Sequence, residues 1–218
     1  MGKKNMIDSV LKNNKDRKNI KLIAKAMEKV DRKYFVNARN PYVDIPLAIG
    51  HGQTISQPTT VARMISLLEI ERGNNILEIG GGSGWNATLM ALLASPGKVV
   101  SVERIKELTE FAQKNYDSVK KSLGLNNVEF IFADALDRKG KIWKMKYDRI
   151  ITTAAASLEF VEDLIEMGKS LLKENGRLLF PTQEGNMELW QLKSKNLRKI
   201  YSEYGYSFVP LVKGTQQF

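Results

Sequence analysis

The chain has 218 residues, and 34 basic against 24 acidic side chains leave a net charge of +10. Hydrophobic residues make up 43% and aromatics 8%, ordinary globular proportions with enough apolar material for one core, which excludes disorder and collagen-like repeats. The lack of cysteine excludes disulfides, thiolate catalysis and Cys-ligated zinc or iron–sulfur sites, and a lone histidine, His51, leaves no His-rich metal site.

No apolar run reaches the roughly 18 residues of a membrane helix, and the polar start lacks the apolar stretch of a signal peptide. The expectation is a soluble cytoplasmic monomer with no membrane partner and no metal. The charge invites a nucleic-acid reading, since clustered Lys and Arg release counterions on phosphates. The lysines, however, alternate with acids, as in Lys25 and Lys29 around Glu28, and this pattern reads as a solvated surface. The densest basic runs, Lys12 to Lys21 and Lys193 to Lys199, lie at the two ends.

In chain order, Ile20, Ile23, Met27 and Val30 recur at helical spacing and predict an amphipathic helix over about 16–31. A loop with Pro41 and Pro46 follows, and Pro58 marks a helix start whose buried stripe is Val61, Met64, Ile65 and Leu68. Short apolar or β-branched runs then predict strands at Asn75 to Ile79, Lys98 to Val102, Val128 to Phe132, Tyr147 to Thr152 and Arg177 to Phe180. Helical stretches Trp85 to Ala94, Ile105 to Leu123 and Leu158 to Leu172 alternate with them. This alternation predicts an α/β fold with a doubly wound, Rossmann-like parallel sheet. Met187 to Leu192 and Leu197 to Tyr201 predict an antiparallel hairpin around Ser194-Lys195-Asn196, and Tyr206 to Leu211 one further strand.

Ligands of such sheets bind beyond the carboxyl ends of the strands. The first strand ends in Glu78-Ile79-Gly80-Gly81-Gly82-Ser83-Gly84, where absent Cβ atoms let a ligand lie against the backbone and a helix N-terminus follows. No Gly-Lys-Ser/Thr follows, so this is not a nucleoside triphosphate loop. Glu103 ends the next strand about twenty residues on, placed to accept both hydroxyls of an adenosine ribose, which serves NAD and S-adenosylmethionine equally. Asp134, after the third strand, is placed to border an adenine. Glu78 separates the two cofactors, because a carboxylate before the loop repels a pyrophosphate but suits an ammonium and a sulfonium. A class I methyltransferase sheet is the better reading.

The stretch Asp44-Ile45-Pro46-Leu47-Ala48-Ile49-Gly50-His51-Gly52-Gln53-Thr54-Ile55-Ser56-Gln57-Pro58, followed by Leu77 to Trp85 and by Phe208-Val209-Pro210-Leu211, closely resembles the protein-L-isoaspartate O-methyltransferase family. The resemblance runs from about Phe35 to Leu211. It implies methyl transfer from S-adenosylmethionine, giving S-adenosylhomocysteine, to the α-carboxylate of L-isoaspartyl residues in damaged proteins. It also implies that Ser56 is the catalytic serine that orients the acceptor, with Gln53, Thr54 and Ile55 lining cofactor and acceptor. Glu78 and Gly80, Gly81, Gly82, Ser83 and Gly84 would hold the methionine part, Glu103 the ribose, and Asp134 with Ala135 the adenine. Leu47, Thr54, Val209, Pro210 and Leu211 would receive the isoaspartyl peptide, and His51 is read as a loop residue. The whole chain reads as one methyltransferase domain: an N-terminal helical and acceptor-loop region over 1–57, a cofactor-binding core over 58–183 and C-terminal strands over 184–218.

Three departures from the family pattern stand out: Gln57-Pro58-Thr59-Thr60 after the serine, Ala133-Asp134-Ala135 after the third strand, and Thr153-Ala154-Ala155-Ala156-Ser157 after the fourth. They leave open a related carboxyl methyltransferase acting on aspartate of a specific peptide. An RNA methyltransferase is the further alternative, but the Asn/Asp-Pro-Pro-Tyr type of motif used on base amino groups is absent.

Overall fold

The aliphatic runs picked out above become strands of one sheet in the computed structural model, which describes residues 2–218. In chain order the elements are α1 (Lys3–Asn13), α2 (Ile20–Lys29), a 3-10 turn over Arg32–Tyr34, β1 (Leu47–Gly50), β2 (Gln53–Ile55), α3 (Pro58–Leu68), β3 (Ile76–Ile79) and α4 (Trp85–Ala94). There follow β4 (Val99–Glu103), α5 (Lys106–Leu123), β5 (Val128–Phe132), β6 (Tyr147–Thr152), α6 (Leu158–Leu171), β7 (Leu172–Pro181), β8 (Asn186–Lys193) and β9 (Asn196–Tyr204). The seven-stranded sheet has the order β5-β4-β3-β6-β7-β8-β9. Its first five members are parallel, while β8 and β9 form an antiparallel hairpin added to β7. Order reverses at β3, which places a crevice at the carboxyl ends of β3, β4 and β6.

The strand period of two divides the core into two layers. Ile76, Val99, Ile151 and Leu179 face α1 to α4, whereas Leu77, Val100, Ile150 and Leu178 face α6 and the far side. By the same alternation Glu78, Ser101 and Glu103 belong to the face covered by α4. That face carries the glycine loop.

Two predictions at the ends of the chain need correction. The helix expected over 16–31 is α2, begun only at Ile20, and a separate helix α1 precedes it. Helix α1 escaped detection because its buried stripe is only Met6, Ile7 and Val10 among Lys and Asn. The strand expected at Tyr206 to Leu211 does not form: a single parallel bridge, Ala155 to Pro210, joins this segment to the loop after β6. The Tyr206 hydroxyl instead donates to Glu203 at 2.7 Å, and Arg63 holds the same carboxylate well below the usual range, at about 2. The hairpin turn itself is as expected, with Ser194 and Lys195 both at positive φ (51° and 64°), the handedness that suits twisted strands. Strand β9 is a free edge of the sheet, with Arg198, Lys199 and Ile200 exposed along it.

Candidate active site and family

An open cavity of about 1100 Å³, its mouth included, lies over the carboxyl ends of β3, β4 and β6. Its wall gathers residues that are far apart in sequence: Gln53, Thr54, Ile55 and Ser56 from β2 and its end, and Glu78, Gly80, Gly81, Gly82 and Ser83 from β3 and the loop after it. Glu103, Asp134 and Ala135 follow from the next two strand ends, and Val209, Pro210 and Leu211 from the segment pinned to Ala155. Two of the sequence-predicted residues are not brought to the wall. Leu47 pairs with Ile55 across the β1–β2 hairpin and packs against the core. Gly84 is the N-cap of α4, and a Cβ there would meet Ala112 and Phe130 at 3.1 Å, so it faces α5 and β5 rather than the cavity.

The glycine loop is shaped by its supports. Gly80 sits at φ +92°, and an added Cβ would lie 2.5 Å from the Thr153 hydroxyl, which donates to the Gly80 carbonyl at 2.5 Å. Under Gly81 an added Cβ would lie 2.5 Å from the Ser101 hydroxyl. Only glycine lets the loop press this closely onto β4 and the end of β6.

The three strand-end acids do different work. Glu78 is fully buried, and its oxygens accept from the Asn86 side chain at 2.7 Å and the Ser101 hydroxyl at 2.5 Å. These two hydrogen bonds brace the carboxylate beneath the loop. Burial pushes its carboxyl up to about 7, against the pull of those two hydrogen bonds and with Glu103 adding repulsion. Glu103 accepts from the Gly82 N–H at 2.9 Å and the Ile105 N–H at 3.0 Å, tying the glycine loop to the start of α5. Asp134 accepts from the Leu136 N–H at 2.9 Å and the Gly214 N–H at 2.8 Å.

The second of those bonds belongs to the C-terminal tail, which runs past the ends of β4 and β5. Arg104 donates to the Gly214 carbonyl at 2.9 Å, and Gln216 exchanges backbone hydrogen bonds with Arg104 and Lys106. The Phe218 ring packs tilted against His51, centroids 4.6 Å apart, and His51 turns the β1–β2 hairpin at φ 53°. Asn86, Ser101, Thr153 and Arg104 were not foreseen as part of the site. Thr153 carries a faint signal, as a hydroxyl just past the end of an apolar strand, and Ser101 as a lone hydroxyl in the middle of one.

A raised carboxyl pKa lets Glu78 be tested by stability. The folded state holds its proton more tightly than the unfolded chain does, so this contribution is complete below pH about 4.5 and is lost as pH rises through 7. The Glu78→Gln variant should flatten the fall in stability between pH 5 and 8, by up to about 3 kcal/mol. Urea midpoints at the two pH values check it; identical slopes for both proteins would contradict the assignment.

A sequence model of the family described as Protein-L-isoaspartate(D-aspartate) O-methyltransferase (PCMT) matches residues 2–216. The chain belongs to that family. A protein-L-isoaspartate O-methyltransferase of Fervidobacterium nodosum is 40% identical over 185 residues, covering 83% of this chain and 87% of the relative. One from Pyrococcus horikoshii is 40% identical over 199 residues, covering 87% and 84%. Among solved structures, a Plasmodium falciparum PCMT in complex with S-adenosyl-L-homocysteine superposes with a TM-score of 0.79 at 28% identity, covering 98% of this chain and all of that one. The Rossmann-like methyltransferase sheet read from the sequence is therefore that of the PCMT family.

Proposed function

We propose that the chain transfers a methyl group from S-adenosylmethionine to the α-carboxylate of L-isoaspartyl residues in damaged proteins, the first step of their repair. The observation that carries this reading is the convergence of the Gln53 to Ser56 segment, the glycine loop and Glu103 on one cavity. The cavity fits the cofactor chemically. It combines a glycine cradle, a carboxylate at the β4 end for ribose hydroxyls and an acid at the β5 end for an adenine edge. When bound, the cofactor supplies a methyl whose bond to sulfur breaks as a bond to the carboxylate oxygen forms, leaving S-adenosylhomocysteine.

The chain's own residues supply binding and alignment. The loop from Gly80 to Ser83 supports the methionine part, Glu103 holds the ribose and Asp134 with Ala135 borders the adenine, while Thr54 and Val209 to Leu211 flank the incoming peptide. A carboxylate acceptor is already ionised at pH 7, since carboxyl pKa values lie near 4. No general base is required. The task left to the protein is to exclude water, hold the acceptor in line and donate to its second oxygen, for which Ser56 is placed. Its competing role as a helix cap finds no support: Gln57 is the N-cap of α3, and the Thr59 N–H is satisfied by Asp44 at 2.9 Å.

Incubation with tritiated S-adenosylmethionine and matched peptides containing L-isoaspartate or aspartate tests the reading. Base-labile label on the isoaspartyl peptide alone is expected. Label on the aspartyl peptide would point to the aspartate-directed relative, and label on RNA alone would overturn the proposal. The proposal includes a monomer working in the cytoplasm, which sedimentation and cell fractionation check.

A further inference from the structure

Arg32 is a cation sealed inside the protein. It has no exposed surface and forms no carboxylate salt bridge within the described residues. Its guanidinium donates instead to five main-chain carbonyls: Pro41 at 2.6 Å, Val43 and Ile45 at 3.1 Å, Ile55 at 3.4 Å and Ser56 at 3.1 Å. These carbonyls come from the two arms of the acceptor segment, before β1 and at or just past the end of β2. The planar fork is the one side chain that can serve so many acceptors from a single point. Burial lowers its pKa to about 10, with Asp44 opposing the shift, so it stays charged at neutral pH.

The other face of the same group looks at the cofactor loop. Its central carbon lies 5.5 Å from the centre of the Trp85 ring, a cation–π distance, and Trp85 is the first residue of α4, directly after Gly84. The indole N–H donates to the Val30 carbonyl at 3.0 Å, two residues before Arg32, which closes the link from the glycine loop back to the same stretch of chain. One guanidinium thus touches the residue that follows the donor cradle and the carbonyl of the residue that meets the acceptor.

We propose that Arg32 is a positioning residue that sets the Ile55–Ser56 segment against the glycine loop and so fixes the line between methyl donor and acceptor carboxylate. This rests on the methyltransferase reading above. In-line transfer is sensitive to placement, because a shift of about 1 Å can cost a factor on the order of 100 in rate.

Arg32→Lys is the deciding variant, since an ammonium keeps the charge but reaches fewer carbonyls. In the full chain, kcat with an isoaspartyl peptide should fall about fivefold or more while the S-adenosylhomocysteine dissociation constant, read by calorimetry, changes less than about twofold. Arg32→Gln, neutral and with two donors, should show the same split more strongly. Unchanged kcat in a folded Arg32→Lys protein overturns the proposal, and so does an equal loss of turnover and cofactor binding. If Arg32→Lys does not fold, Arg32 is structural and the proposal also fails. Absence of isoaspartyl methylation by the unsubstituted protein would instead count against the proposed function, so the two failures are distinct.

Discussion

Replacing Ser56 by alanine should lower kcat for an isoaspartyl peptide by about 10- to 100-fold, the loss expected for one hydrogen bond to a charged group. Cofactor affinity should stay nearly constant. Ser56 stands at the end of β2, on the cavity wall, with its carbonyl anchored by Arg32. No hydrogen bond from its hydroxyl is formed within the described residues, so the group is free to donate to an incoming carboxylate. The proposal gives Ser56 to the acceptor and the glycine loop to the cofactor. Steady-state kinetics with peptide and calorimetry with S-adenosylhomocysteine separate the two quantities. A parallel loss of both would show that Ser56 shapes the pocket instead of the acceptor.

Replacement of Glu103 by alanine acts on the other substrate. The S-adenosylmethionine dissociation constant should rise about tenfold or more, because charge-assisted hydrogen bonds of roughly 1.5 to 3 kcal/mol are removed. The structure gives a second reason for a large effect. The same carboxylate holds the Gly82 and Ile105 N–H groups, so the cradle loses its tie to α5 along with the ribose partner. Glu103→Gln keeps one acceptor oxygen and should fall between the two proteins. Calorimetric titration decides, and an unchanged constant in the alanine variant would remove Glu103 from the ribose site.

Much of the sheet was legible because buried parallel strands are near-continuous apolar runs, as in β3 and β4, and Val128 to Phe132 and Tyr147 to Thr152 coincide with β5 and β6. The positions after those strands were legible for the same reason, since strand ends mark the crevice. What stayed hidden depends on contacts between distant segments. Nothing local says that Arg32, in a polar run beside Asp31 and Lys33, is buried at the meeting point of two arms of chain. Tyr206 to Leu211 has strand-like residues, yet the hairpin β8–β9 already occupies that side of β7, and the segment runs along Ala155 instead. Leu47 and Gly84 sit inside family-like motifs, but Leu47 packs against the core and Gly84 against Ala112, and neither reaches the cavity wall.

The last strand bears on the company this protein would keep. Aged, partly unfolded chains offer loose backbone that readily pairs with any open strand. Strand β9 carries exposed Arg198 and Lys199 on its two faces, next to the turn carrying Lys195. Lysines and arginines on an outer strand discourage adhesion of foreign backbone. A catalyst of this kind can therefore meet sticky clients at its pocket without being drawn into their aggregates along its flank.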